Sequence, residues 1–510
     1  MSHLPALPIL LPLLAAAALV LLARAPLPVR RALGLGASLA QLGVCLVLLQ
    51  AAARGEVAVY LLGNWPAWSG IALMVDRLSA LMLVLAAGLA VCAQLHATGG
   101  QDRRGPHFHA LFQFQLAGLS GAFLTADLFN LFVFFEVLLI SSYGLLLHGD
   151  GALRLKRSLH YVAFNLVASA LFLVAVALLY GVLGTLNMAD LAGRIARVPA
   201  ADAALVRSAG LLLLVVFCAK AALLPLHLWL PGAYAAATAP VAALFAVMTK
   251  VGVYAVVRVH GLLFGADAGA AADLAWPWLL PAGLATLVLA SLGALAATTL
   301  RRLVAYLVVA SAGTLFIAVG SAGEAALGAG LYYLVHSTLA AAALFLLADL
   351  VRRARGEATD SLRTVGGMVG RGPLALAFLL GAMAIGALPP WSGFLAKALL
   401  LDALADHPAA AWIWTIVLGS GLLVILALAR AGSHLFWREP AGPAATPISP
   451  PRAAERVATS LLLAGLVALS VFAEPAARFA RDAAAQLRSP ATLAAGVLAT
   501  EPRRRTEEAP

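Results

Sequence analysis

Apolar runs near 20 residues long recur from one end of this 510-residue chain to the other, separated by short gaps that hold most of the charge. A run of that length matches the hydrocarbon thickness of a bilayer. In lipid the backbone must satisfy its own hydrogen bonds, so each run is expected to be a helix. Only 11% of the residues are charged, about half of the roughly 25% found in soluble domains. The fold class is therefore an all-α polytopic membrane protein. Run length predicts fourteen spans, at 4–23, 32–53, 72–96, 108–126, 128–148, 159–182, 207–228, 239–263, 275–299, 303–320, 326–350, 373–403, 411–436 and 457–477. The first run lacks a preceding basic region, so it is read as a true span and not as a leader. The three cysteines, Cys45, Cys92 and Cys218, fall inside apolar runs and give no disulfide or metal spacing. The net charge of +11 is scattered over loops, which argues against nucleic acid as a partner.

Loop charge sets an orientation. With the N-terminus outside, the inside loops hold nineteen Lys and Arg and the outside loops five, namely Arg54, Arg194, Arg197, Arg207 and Arg258. The tail from 478, with Arg503, Arg504 and Arg505, departs from this bias. Its Ala-rich stretch 475–500 is expected to lie along the membrane as an amphipathic helix, and the last ten residues to be disordered. The Pro-rich gap 437–456 reads as a linker.

Within the runs, a few ionisable residues stand out. Thirty of the thirty-four basic residues are arginine; of the four lysines, Lys220, Lys250 and Lys397 lie in mid-run. Arginine keeps its charge wherever it sits, whereas a lysine taken out of water can release its proton. Glu136 and His336 are also in mid-run. A charge at the centre of a span costs about 2.5–3.5 kcal/mol on insertion scales, so such residues mark function. Lys220 and Lys250 sit at similar depth on neighbouring spans, and pairing one of them with Glu136 would relieve their repulsion. That arrangement makes an electrostatic switch. By contrast, Asp349 beside Arg352 and Arg353 reads as an interfacial ion pair, Asp76 with Arg77 as a local pair, and His227 and His260 as structural.

Two spans look broken. Pro225 and Pro231 follow Lys220, and Pro389, Pro390 and Gly393 precede Lys397. Discontinuous helices at corresponding places in two halves mark ion sites in inverted-repeat transporters. The breaks fall in the seventh and twelfth spans, an odd separation, as two inverted five-helix repeats require. The implied divisions are 1–106, a first repeat 107–263, a second repeat 264–437, a linker with the last span 438–477, and a short tail 478–510.

The strings DLFNLFVFFEVLLISSYGLLLHG (127–149) and AKAALLPLHLWLPGAYAAATAPVAALFAVMTKVGVYAVVRV (219–259) resemble the proton-translocating antiporter family. That family includes the membrane-arm subunits of respiratory complex I and of membrane-bound hydrogenases, and the large subunits of Mrp-type cation/proton antiporters. The stretch GNWPAWSGIALMVDRLSALMLVLAA (63–87) looks most like the D-type large subunit of Mrp (Pha) antiporters. The resemblance implies a proton relay of Glu136, Lys220, Lys250, His336 and Lys397, with Glu136 and Lys220 as the switch pair. It implies a multi-pass subunit of the bacterial inner membrane that exchanges protons for Na⁺ or K⁺. Its partners would be small hydrophobic subunits and a larger homologue. The alternative is a proton-pumping subunit of a complex I-like oxidoreductase or a membrane-bound hydrogenase. No Fe–S, haem or flavin motif is present, so no cofactor or metal and no enzymatic step is expected of this chain. The tail after 477 is too short for the long lateral helix of one complex I paralogue.

Overall fold

The computed structural model describes residues 3–105, 107–149, 151–356, 359–363, 368, 370–438 and 451–502. The last eight residues, expected to be disordered, and most of the Pro-rich linker lie outside the described residues. The fold is almost wholly helical. It opens with α1 (Leu7–Leu21) and α2 (Leu27–Ala53), then a two-stranded antiparallel hairpin, β1 (Ala58–Leu61) with β2 (Ala72–Val75). There follow α3 (Arg77–Ala97), α4 (Phe108–Leu124), α5 (Leu128–Leu147), α6 (Ala152–Leu183), the short α7 (Met188–Ile195) and α8 (Ala203–Lys220). Beyond a break come α9 (Trp229–Ala236), α10 (Ala239–Phe245), α11 (Met248–Ala255) and, after a π-turn at Val256–His260, α12 (Gly261–Leu263). The second part holds α13 (Trp276–Ala296), α14 (Leu300–Gly320), α15 (Glu324–Ala354), α16 (Arg371–Ile385), α17 (Ser392–Ala403) and α18 (Ala410–Gly432). It closes with α19 (Ala453–Val471), α20 (Ala473–Leu487) and α21 (Pro490–Leu498).

Among the described residues, twelve helices are long and apolar enough to cross a bilayer, against the fourteen spans expected. The two not counted are α4, which has 17 residues, and the run 373–403, which is not one helix but two, α16 and α17. The last span is also shorter than expected. It stops at Val471, and α20 begins at Ala473. The Ala-rich tail segment is two helices: α20 packs its alanines on α15 and α3, and α21 rests against α7.

Three helices, 239–263, α14 and α15, form the centre. The span Ala239–Leu263 is buried along its whole apolar window. Its approach to the first break depends on Gly252, where a Cβ would lie 2.5 Å from Ala221 N and 2.7 Å from Phe217 O.

The two breaks share one backbone path. Ala222 N donates to Ala219 O and Leu223 N to Cys218 O; at the same spacing along the chain, Ala387 N donates to Ala384 O and Leu388 N to Met383 O. Ala222 and Ala387 adopt left-handed φ of 58° and 59°, and each turn contains a cis proline, Pro225 and Pro390. A second correspondence joins α5 and α14. Leu128 N donates to Leu186 O and Met188 N to Ala126 O, just as Leu300 N donates to Asp360 O and Leu362 N to Thr298 O. Side chains cap both helices, Asp127 for α5 and Thr299 for α14.

One ion pair differs from expectation. Asp76 does not pair with its neighbour Arg77. It takes a bidentate contact from Arg258, at 2.6 and 2.7 Å, with both side chains almost fully buried. Arg258, read from the sequence as a loop residue, lies inside the π-turn of the central helix, where Tyr254 also receives its Nε–H. A bidentate guanidinium–carboxylate pair is stable there because each charge is fully hydrogen-bonded. Arg77 turns instead toward α20, its backbone N–H bonding Gln486.

Candidate functional site: a buried line of basic groups

Lys220 is the last residue of α8, where the helix stops with unpaired carbonyls. Trp229 reaches back over the break and its indole N–H caps Ala219 O at 3.1 Å. The Lys220 ammonium makes long hydrogen bonds to Asn165 O at 3.4 Å, Asn165 Oδ1 at 3.3 Å and Ser169 Oγ at 3.3 Å. It is 8% exposed, so it does not snorkel to a headgroup. Glu136, half-buried on α5, acts on Lys220 through its charge without touching it. One oxygen of its carboxylate is buried with no hydrogen-bond partner among the described residues. The switch pair is thus open in this structure, with Asn165 and Ser169 holding the lysine. Beside Lys220 a cavity of about 20 Å³, lined by Phe135, Tyr161, Asn165, Trp229 and Met248, has room for about one water.

Lys250 is completely buried on α11 and donates to Ser311 Oγ on α14 at 2.7 Å. The Ser311 hydroxyl spends its own proton on Val308 O at 2.7 Å, which leaves its lone pairs for the lysine. Thr314 lies one turn further along the same face of α14 and meets Tyr333 of α15. Tyr333 lies one turn before His336, their rings 5.9 Å apart. His336 Nδ1 is 2.9 Å from Ser392 Oγ at the start of α17. Lys397 follows on α17, half-buried, acting on His336 by charge and lying near Gly421 of α18.

The structure thus brings Lys220 against α6, Lys250 against α14, and His336 and Lys397 together at the second break. Residues that sequence reasoning passed over fill the intervals: Asn165, Ser169, Ser311, Thr314, Tyr333 and Ser392. Two of these sets carried a readable signal, since Asn165 with Ser169 and Ser311 with Thr314 are polar pairs one turn apart on otherwise apolar helices.

The chain matches the family described as NADH:quinone oxidoreductase/Mrp antiporter, TM, over residues 125–425, a stretch that contains every one of these groups. The chain belongs to that family. Among its relatives in the family, the D subunit of a probable K(+)/H(+) antiporter of Rhizobium meliloti (strain 1021) is 43% identical over 98% of both chains. The D subunit of the Na(+)/H(+) antiporter of Bacillus subtilis (strain 168) is 37% identical over 86% of this chain and 88% of its own. A chain of the Mrp complex from Dietzia sp. DQ12-45-1b superposes with a TM-score of 0.85 at 30% identity, covering 98% of this chain and 100% of its own. Redox complexes of the same architecture, a sulfane sulfur reductase and respiratory complex I, also match. Family membership accounts for the multi-pass helical fold, and the relatives named are transporter subunits.

Away from this line, His96, Asp349 and Glu455 converge closely enough to serve as metal ligands. Arg353 takes the cation's place there, donating to Asp349 at 2.7 Å and to Glu455 at 2.5 Å, while Arg352 and Gln101 also donate to Asp349. The ion pair expected at Asp349 is part of this network, which ties α3, α15 and α19 together. His260 is structural as well, its Nε2 3.0 Å from Gly210 O.

Proposed function

We propose that this chain is a proton-conducting membrane subunit of a multisubunit Na⁺(K⁺)/H⁺ antiporter. The observation that carries the reading is the unbroken alternation of basic groups and hydroxyls from Lys220 and Lys250 to His336 and Ser392, buried in a chain otherwise built of apolar helices. Protons pass along Glu136, Lys220, Lys250, His336 and Lys397. When Glu136 and Lys220 close, the carboxylate stabilises the Lys220 charge, and Lys250 gives up its proton to the hydroxyls of α14. When the pair opens, Asn165 and Ser169 hold Lys220 and Lys250 reloads. Buried charges at this spacing are coupled, so the line titrates as a unit.

The two breaks with one backbone path support a pair of inverted repeats, 107–263 and 264–437, flanked by the N-terminal helices 1–106 and the segments 438–477 and 478–510. The loop charges support an N-terminus outside the bacterial inner membrane. The relatives' names support small hydrophobic subunits and a larger homologue as partners, and either Na⁺ or K⁺ as the exchanged ion.

The decisive experiment is purification from the native membrane in mild detergent, with an absorption spectrum and identification of the accompanying subunits. Colourless hydrophobic partners with a second large homologue establish the antiporter. Flavin or iron–sulfur absorbance with peripheral subunits overturns it in favour of a redox-driven proton pump.

A further inference from the structure

We infer that Ser470, near the end of α19 and outside the matched family region, is a positioning residue for the second break: it fixes the start of α17 so that the Ser392 hydroxyl stays on His336. This rests on the reading of His336 as a relay group. The first N–H groups of a helix have no partner within it. The Ser392 N–H, the first of α17, donates to Ser470 Oγ at 2.8 Å. The Ser470 hydroxyl gives its own proton to Leu466 O at 2.8 Å, so it is fixed as an acceptor toward Ser392. Ser392 then presents its side chain to His336 Nδ1 at 2.9 Å. On the other side of the imidazole, Gly393 is bare; a Cβ there would lie 2.7 Å from His336 Nε2 and 2.2 Å from Ala384 O. The two residues at the start of α17 therefore enclose both ring nitrogens, and their place is set by one hydrogen bond from α19.

The last turn of α19 is registered on α15 as well. Tyr332 donates to Leu469 O at 2.9 Å, next to Ser470 and one turn before His336. One end of α19 thus aligns the helix that carries the histidine with the half-helix that carries its partner. Which nitrogen of a neutral imidazole holds the proton is decided by the partner of the other nitrogen. Losing the Ser470 acceptor leaves the Ser392 N–H unpaired and lets α17 shift, so the imidazole loses its fixed partner. The ionisable groups that act on His336 among the described residues are Lys397 from α17 and Tyr333 on its own helix. Neither changes in the variants below.

The test uses the assembled complex in inverted membrane vesicles, with cation-driven proton flux followed against pH and assembly checked on native gels. Ser470→Ala is expected to assemble, to lose flux several-fold and to move the pH profile. Ser470→Thr, which keeps the acceptor, is expected to restore both. Should the alanine variant not assemble, Ser470→Cys keeps the volume with a weaker acceptor and carries the same expectation. Wild-type flux and pH profile in Ser470→Ala or Ser470→Cys overturn the inference, as does failure of Ser470→Thr to restore them. His336→Gln separates the two levels: wild-type flux there removes the relay reading and this inference with it. Lost flux there with a silent Ser470→Ala overturns the positioning role alone.

Discussion

At the first break the lysine ends the leading half-helix; at the second the lysine sits inside the trailing one. The turns themselves match bond for bond, so the difference lies only in where the charge was placed on a common scaffold. Lys220 stands among the free carbonyls of a helix C-terminus, which attract a cation. Lys397 is five residues past the start of α17, near the N–H end, where a cation gains nothing from the helix. The way each break is pinned differs too. The first is tied within its own half-helices by Trp229 on Ala219 and from α13 by Thr286 on Leu224. The second is tied by Ser470 from a helix outside the repeats. A repeated turn thus supplies two places in mid-membrane where the backbone is open, and the side chains make them unequal.

The largest expected effect tests that inequality directly. Lys220→Ala removes the charge at the carbonyl end and should reduce antiport at least tenfold, a barrier change of about 1.4 kcal/mol, with the complex still assembled. Near-normal cation-driven proton flux in vesicles would end the proposed role. Lys397→Glu, at the N–H end, should keep part of the activity, because an acid is tolerated near a helix N-terminus. Complete loss would show that the sign of the charge matters equally at both breaks. Between these two lies a packing test. Gly252→Ala places a methyl 2.5 Å from Ala221 N and Gly393→Ala one 2.2 Å from Ala384 O, both against backbone. Each should cost about 1–3 kcal/mol, seen as a lowered melting temperature of the purified complex. If only one of the pair is destabilised, the two breaks are not mechanically equivalent.

The smallest effect lies away from both breaks and serves as their control. Burial works against the Asp102 carboxylate, but hydrogen bonds from Arg31, at 2.6 and 2.8 Å, and from His109 outweigh it and hold its pKa at about 2. A depressed carboxylate pKa adds stability that is complete above its ordinary value near ~4 and fades as pH falls below that. For Asp102 this means a loss between about 4 and about 2. Melting curves over that range should show a steeper acid-side fall for the wild type than for Asp102→Asn, with antiport near neutral pH unchanged.

Much of this was legible along the chain. Run length and scarcity of charge specified membrane helices, because the bilayer accepts no other backbone arrangement for such segments. The cost of a buried charge pointed to Glu136, Lys220, Lys250, His336 and Lys397, and the prolines located both breaks. The partners were not legible. Asp76 lies next to Arg77 in sequence but bonds Arg258, 182 positions away, because the capping of α3 turns its carboxylate inward toward the central helix. Lys220 was expected on Glu136 and lies on Asn165 and Ser169, since the end of α8 packs against α6. Sequence alone determined which groups had to be sheltered from lipid, since that follows from the transfer cost of each residue. Which groups shelter each other was decided by helix packing, because contacts between distant helices depend on rotation and register that no local pattern encodes.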